Sequence, residues 1–423
     1  MFPNMTLRTL TQLLWRLSGG VLSIAAAIIV SVSLGLATQG VVASSVSLLI
    51  GLSALTGSGF SHALAFAAAR QPQRARATAT RAATLAVVVA TVAGLLAAGF
   101  GSLALQSLPI SWWSVALALP LIQLGQLGLG VAQGLALHRR YALAYLAQPV
   151  GAFVLAVIAS RMTGSAASGV SPWVPALVVG PFALQAAAAV WMLARLPPSE
   201  SAEPFHSLVS YTARIYPSSV AHVLSYRLDL ILVGSLLGAS SAGIYSLALN
   251  GVDAVARLGQ SAATVLFPQF ARPSSGETNV LLVRRAAEVT GMVSLAASVA
   301  LAAVALTLGG TNTEVRTIGG LLLVLAVGGA GVGAWTVLGS FLAATDHLGA
   351  AARINLILLA ASVTMYLTLI PAIGLYGGAI GTSAGMLLAA LLGYREVTRA
   401  SFSTVASRLR PEAETRFRNP SGK

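Results

Sequence analysis

Twelve long apolar stretches follow one another along this 423-residue chain, and the polar gaps between them alternate in character. Every second gap is basic: Arg70, Arg74, Arg76 and Arg81; Arg139 and Arg140; Arg195; Arg272, Arg284 and Arg285; Arg353. The gaps at 37–40, 106–112 and 238–241 are short and nearly uncharged. Only Arg161 and Arg316 fall in the second set of gaps, and Arg16, Arg227 and Arg257 lie inside apolar stretches; the other 20 of the 25 Lys and Arg fall on one side. A hydrocarbon core about 30 Å thick takes roughly 20 apolar residues of helix, and cytoplasmic loops collect Lys and Arg. The pattern therefore predicts an all-α membrane protein with spans at 13–36, 41–69, 82–105, 113–137, 142–162, 173–194, 209–237, 242–268, 286–309, 316–344, 351–371 and 375–394, and both termini in the cytoplasm. Trp112 and Trp113 read as interfacial anchors.

Composition narrows the class. Charged residues are 9% of the chain and apolar residues 56%, against about 25% charged in a soluble domain, and the mean hydropathy is +0.83. The net charge of +14 is spread over loops expected to face anionic lipid, which argues against a nucleic-acid partner. With no Cys, disulfides, thiolate metal sites and Cys nucleophiles are excluded. The first apolar stretch is too long for a cleavable signal. Arg outnumbers Lys 24 to 1, which points to a GC-rich bacterial source.

The longest polar break within the array, 197–207, divides it into six spans and six. The halves resemble each other. LGLATQG at 34–40 leads into span two, which ends at Arg70, and LGASSAG at 237–243 leads into span eight, which ends at Arg272; the offsets are 203 and 202 residues. An even number of spans preserves orientation, so this is a parallel repeat about an axis along the membrane normal, an arrangement that builds transporters with a site between the repeats. The organisation expected is a six-helix bundle over 1–198, a second over 199–394, and a basic tail over 395–423 that is either solvated or in contact with lipid.

Candidate chemistry lies in the ionisable residues at bilayer depth, each of which costs about 2.5 kcal/mol or more unless it has a partner or a cavity. Asp253 and Arg257 are spaced to pair along one helix face. His222, Tyr226 and Asp229 share a face of span seven, with Arg227 pointing elsewhere and Pro217 expected to kink the helix below them. That stripe is either transport machinery or a polar cluster between helices. Arg16 either snorkels to the surface or enters a site. Gln123, Gln126 and Gln133 share a face with Gly130, as interhelical hydrogen bonds or as a cavity wall for sugar hydroxyls. Gly377, Gly381 and Gly385 predict close helix packing. The five His show no metal-ligand spacing, and no phosphate loop or pair of external carboxylates suggests catalysis.

The segment YRLDLILVGSLLGASSAGIYSLA at 226–248, continuing to LFPQFAR at 266–272, resembles the polysaccharide flippases of the multidrug/oligosaccharidyl-lipid/polysaccharide (MOP) exporter superfamily. The shared pattern is Arg-x-Asp, an apolar run, Gly, then Gly-x-Tyr-x-x-Ala and a later Pro, here Arg227, Asp229, Gly238, Gly243, Tyr245, Ala248 and Pro268. The resemblance implies two six-helix bundles around a cavity that opens alternately to each side of the bacterial cytoplasmic membrane. The cargo it implies is a polyprenyl-diphosphate-linked glycan, with membrane lipids and the glycosyltransferases or polymerase of the same pathway as candidate partners. On that reading Arg16, Arg227 and Arg257 take the head-group phosphates, Gln123, Gln126 and Gln133 touch sugar, and Asp229, with Asp253, His222, Tyr226 and Pro217, serves coupling or gating. No cofactor is implied beyond a proton or Na+ gradient. A drug/cation antiporter of the same superfamily and a non-transporting accessory subunit of a polysaccharide assembly complex remain as alternatives; the first is disfavoured by an excess of buried Arg over buried acid.

Overall fold

The computed structural model describes residues 3–105, 108–163, 170–199, 201–202, 205–270, 276–345 and 347–418. Gln106, Arg272, Pro273 and the last five residues lie outside them, as does the side chain of Pro268. Twelve long helices account for nearly everything described: α1 (Pro3–Leu34), α2 (Leu36–Arg70), α3 (Ala75–Ala104), α4 (Trp112–Gly134), α5 (His138–Met162), α6 (Val174–Ala194), α7 (Phe205–Leu237), α8 (Ala239–Phe270), α9 (Gly276–Gly309), α10 (Thr313–Ala344), α11 (Leu348–Ile373) and α12 (Leu375–Arg418). Several start well before the apolar spans do, α3 at Ala75 and α9 at Gly276, and α12 runs on to Arg418. Hydropathy marks the hydrocarbon slab, whereas helical hydrogen bonding continues through charged turns that reach water.

Eleven of the twelve are long and apolar enough to cross a membrane; α8 is the exception. Its sequence carries Ser246, Asn250, Asp253, Arg257, Gln260 and Thr264, alternately four and three residues apart. That spacing keeps polar side chains on one face, so α8 needs a polar surface to pack against.

The packing repeats across the chain. In the first half α4 touches α2, α3, α5 and α6, while α1 packs on α5 and α5 on α6. In the second half α10 touches α8, α9, α11 and α12, while α7 packs on α11 and α11 on α12. The two halves meet through α1 with α8, α2 with α7, and α2 with α8. Exchanging α1–α6 for α7–α12 maps every one of these contacts onto another, so the halves are related by a pseudo-two-fold axis passing between α2 and α8.

The repeated glycines explain the meeting point. Gly35 and Gly238 break the helices before α2 and α8 at φ 89° and 90°, a region that suits glycine. One turn on, a Cβ at Gly40 would overlap the Ala239 carbonyl, and one at Gly243 would overlap the Leu36 carbonyl. The two helix starts thus touch backbone to backbone, and the side chain of Gln39 donates to Ser246 Oγ at 3.1 Å beside them.

Two local expectations change and a third holds. α7 runs unbroken through Pro217, whose ring is exposed; the kink lies in α2, at Gly57 (φ 176°, ψ 16°). Trp112 turns inward against Gly101 of α3, leaving Trp113, 60% exposed, as the interfacial ring. Gly381 and Gly385 do pack closely, against Tyr366 and Ser362 of α11.

Candidate functional site

Between the halves lies a cavity of two chambers, of about 320 and 200 Å³, with common walls at Ile50, Gln148, Phe182, Arg227, Asp253 and Arg257. The smaller chamber reaches towards Gly35 and Gly238, ending at Gln39 and Ser246; the larger reaches the other way, to Gln126, Gln260 and Thr336. Its polar lining comes chiefly from the α8 stripe and from Tyr145 and Gln148 on α5, with His222, Tyr226 and Arg227 on α7.

At the junction of the chambers, Arg227 Nη2 lies 3.4 Å from Asp253 Oδ2, and the hydroxyl of Tyr226 donates to Asp253 Oδ1. The Arg227 guanidinium also sits 5.1 Å from the centre of the Tyr226 ring. Both members of the ion pair keep part of their side chains open to the cavity. One turn further along α8, Arg257 donates to Tyr145 Oη at 2.8 Å. The pairing of Asp253 with Arg257 suggested by their spacing is therefore replaced by contacts across helices: α8 aims the carboxylate at α7 and the guanidinium at α5. Nor does Arg227 point away from Tyr226, since both line the larger chamber with His222.

Asp229 leaves this group. Fully buried, it accepts hydrogen bonds from its neighbour Leu230 N at 2.7 Å, from Tyr245 Oη at 3.0 Å and from Thr382 Oγ1 at 2.9 Å. Tyr366 Oη closes the network, 3.1 Å from Thr382 Oγ1 and 2.9 Å from the Ser225 carbonyl. The Asp of Arg-x-Asp and the Tyr of Gly-x-Tyr are thus one contact, which ties α7 to α8 and, through Thr382, to α12. In a helix the residues two apart face nearly opposite ways, so Arg227 and Asp229 divide between cavity and bundle core.

Arg16 does not snorkel. It is 6% exposed and donates to Gln260 Oε1 at 3.1 Å, Tyr141 Oη at 2.9 Å and Thr264 Oγ1 at 3.0 Å. It also lies over Tyr141 and Tyr145, whose rings stack at 6.2 Å. Arg16 therefore binds α1 and α5 to α8, across the boundary between the halves, and is absent from the walls of either chamber.

The glutamines of α4 separate despite sharing a helix face. Gln126 lines the larger chamber. Gln123 is buried and donates to the Ser53 carbonyl at 2.7 Å and to Thr56 Oγ1 at 2.8 Å. Both acceptors lie in the turn of α2 that leads into the Gly57 kink, so Gln123 braces α2 beside it. Gln133 is exposed near the end of α4 and reaches neither chamber. The residues that sequence reasoning missed are Tyr145, Gln148, Asn250 and Gln260. The signal was there: the four-three spacing of polar residues along α8, and the matching Tyr141, Tyr145, Gln148 on α5.

No curated protein sequence matches the chain. Among solved structures, the lipid II flippase MurJ in its inward closed conformation is similar with a TM-score of 0.68 at 10% identity, over 98% of this chain and 94% of that one. A multidrug resistance MATE transporter of the MOP superfamily, outward-facing, gives 0.63 at 15% identity, over 94% and 96%. A MOP-superfamily transporter from Pyrococcus furiosus, described by the reverse polarity of its binding pocket, gives 0.62 at 15%, again over 94% and 96%. At these identities the likeness establishes the fold, that of the twelve-helix MOP transporters. The profile of the polysaccharide biosynthesis protein family matches residues 34–309, α2 to α9 and so most of the chain including the α7–α8 cavity wall, and the chain belongs to that family.

Proposed function

We propose that this protein flips lipid-linked oligosaccharide repeat units across the bacterial cytoplasmic membrane by alternating access, with the basic end of the helices in the cytoplasm. The observation that carries the reading is the placement of Arg227 and Arg257, from α7 and α8, on the common wall of both chambers. A guanidinium presents its donors in a fork that matches phosphate oxygens. Around these two cations the chambers offer one carboxylate, Asp253, together with tyrosines and amides, a lining suited to an anionic, hydroxyl-rich head group and unsuited to a lipophilic cation. Asp253 holds Arg227 in place while the cavity is empty, and a diphosphate competes with it for the guanidinium. The lipid chain stays in the bilayer while the head group passes.

Within this reading the pseudo-two-fold contact of Gly40 and Gly243 closes the end facing away from the cytoplasm. Coupling to a proton or Na+ gradient runs through Asp229, because its occupancy would alter how α7, α8 and α12 are tied, and Arg227 is two residues away on α7. Glycosyltransferases or a polymerase of the same pathway would supply and remove the cargo.

The test is flipping of a fluorescent polyprenyl-diphosphate oligosaccharide in proteoliposomes. Wild-type protein flips it, and Arg227→Ala and Arg257→Ala, folded as judged by size-exclusion chromatography, lose most of that activity. Wild-type activity in both variants would remove the two arginines from the mechanism; no flipping by folded wild type would overturn the function.

A further inference from the structure

The cavity is graded along its length. Following α8 from its glycine start, the side chains facing the cavity are Ser246, Asn250, Asp253, Arg257 and Gln260. Following α5 upward from its start, Tyr141 meets Arg16, Tyr145 meets Arg257, and Gln148 comes one turn later. α5 and α8 run in opposite directions, so that turn brings Gln148 to the level of Asp253 and Asn250. All three line the smaller chamber.

Most amides in and near the cavity are engaged with the protein. Gln39 donates to Ser246, Gln123 to the kink of α2, and Gln260 accepts from Arg16. Asn355, on α11, donates to Ser218. Among the described residues lining the chambers, Gln126, Gln148 and Asn250 are the amides that hydrogen-bond to no protein group; Gln126 is exposed in the larger chamber, whereas Gln148 and Asn250 are half-buried in the smaller one. Polar groups enclosed in a protein are nearly always hydrogen-bonded, and an Asn or Gln presents two donors and an acceptor. Two such groups, one from each half of the molecule, flank a space with the buried ring of Phe182 on its wall.

We infer that Gln148 and Asn250 form a glycan subsite: they hydrogen-bond the hydroxyl or acetamido groups of the sugar next to the diphosphate, which itself sits one turn away at Arg227 and Arg257. The inference rests on the proposed function and adds a direction to it. The sugar lies deeper than the phosphate, in the smaller chamber near the Gly35 and Gly238 end. A neutral amide suits this task because it pairs with a hydroxyl as donor or acceptor and leaves the arginines to the phosphate. One amide on α5 and the other on α8 also means that a sugar held by both bridges the halves.

The experiment measures binding of three probes to the purified full-length protein in detergent: undecaprenyl diphosphate, the same lipid carrying one N-acetylhexosamine, and the same lipid carrying one neutral hexose. The variants are Gln148→Met and Asn250→Leu, which keep side-chain volume, with Arg227→Ala as control. Wild type is expected to bind at least one sugar-bearing lipid about tenfold more tightly than the bare diphosphate. Each amide variant is expected to lose about that factor, the size of one ordinary hydrogen bond, and to leave the bare lipid unaffected. Arg227→Ala weakens all three probes. Wild type binding all three equally, or amide variants weakening the bare lipid as much as the sugar-bearing ones, would overturn the glycan subsite and leave the phosphate reading standing. Wild type binding none of them would overturn both.

Discussion

The carboxylate of Asp253 pairs with Arg227 of the preceding helix and not with Arg257, four residues along its own. The pair spans α7 and α8 at the junction of the two chambers, and a diphosphate approaching Arg227 meets a competitor already in place. Replacing Asp253 by Asn keeps the shape and removes the competing charge. Asp253→Asn is expected to bind undecaprenyl diphosphate roughly tenfold more tightly, about 1.4 kcal/mol, and to flip it more slowly because release is impeded. Equilibrium binding and initial flipping rates measured on one preparation check this; weaker binding would show that Asp253 positions Arg227 instead of opposing the ligand.

Arg16 calls for a different expectation, because it joins α1 and α5 to α8 and touches no chamber. Arg16→Met keeps the aliphatic stem and removes three hydrogen bonds, to Tyr141, Gln260 and Thr264. Hydrogen bonds to a charged group contribute about 1.5–3 kcal/mol each, and the orphaned partners can partly re-pair, so a loss of about 2–4 kcal/mol is expected. Thermal unfolding in detergent should show it, with diphosphate affinity nearly unchanged. An unchanged melting temperature with affinity lost as in Arg227→Ala would make Arg16 a ligand residue.

How much of this was legible beforehand follows from which forces are one-dimensional. The bilayer acts on hydropathy and loop charge in sequence order, so the succession of helices and the repeat can be read from the sequence, whereas the meeting of Gly40 with Gly243 appears only in the structure. Helix ends are not legible in this way, because α3 and α9 extend as helix beyond the hydrocarbon. Spacing places side chains on a face but does not say what that face meets. Gln123, Gln126 and Gln133 share a face of α4, yet one braces the α2 kink, one lines the cavity and one is exposed near the helix end. The same ambiguity misassigned the partner of Asp253. Proline lacks an N–H, which makes Pro217 the expected kink; α7 carries its proline with the ring exposed, and the kink falls instead at Gly57 of α2, where the Gln123 side chain approaches closely. The longer pattern on α8, six polar residues in four-three alternation, would have found the cavity wall had it been weighed as a stripe and not as one ion pair.

Asp229 anchors the second bundle from within. Its carboxylate takes hydrogen bonds from the Leu230 backbone, Tyr245 and Thr382 with no exposure. Asp229→Ala leaves two buried hydroxyls and an amide without their acceptor, and an unsatisfied buried group costs about 1–3 kcal/mol. Destabilisation of at least about 3 kcal/mol is expected, seen as reduced yield of monodisperse protein and a lower melting temperature. Asp229→Asn, which retains an acceptor, should fold. If coupling runs through this carboxylate, Asn flips at a rate that no longer responds to an imposed proton or Na+ gradient. A gradient response equal to wild type would remove Asp229 from coupling and leave it a structural tie.

The glycine contact at the pseudo-two-fold axis sets which end of the cavity is closed. Gly40 admits the Ala239 carbonyl and Gly243 admits the Leu36 carbonyl, so a side chain at either position forces the starts of α2 and α8 apart. Backbone groups cannot swing aside as a flexible side chain would, and overpacking typically costs about 1–3 kcal/mol. That cost falls only on the state closed at this end, so Gly40→Val shifts the equilibrium towards the state open there without weakening either bundle. The chain has no cysteine, which makes a single introduced thiol an unambiguous reporter. Val46→Cys, on the wall of the smaller chamber, should react slowly with a membrane-impermeant maleimide added from the Gly35 and Gly238 side in an otherwise wild-type background. With Gly40→Val it should react at least tenfold faster, and flipping should fall because the cycle stalls in one state. Equal labelling rates in both backgrounds, with the double variant folded, would show that the glycine contact packs the helices without acting as the closure.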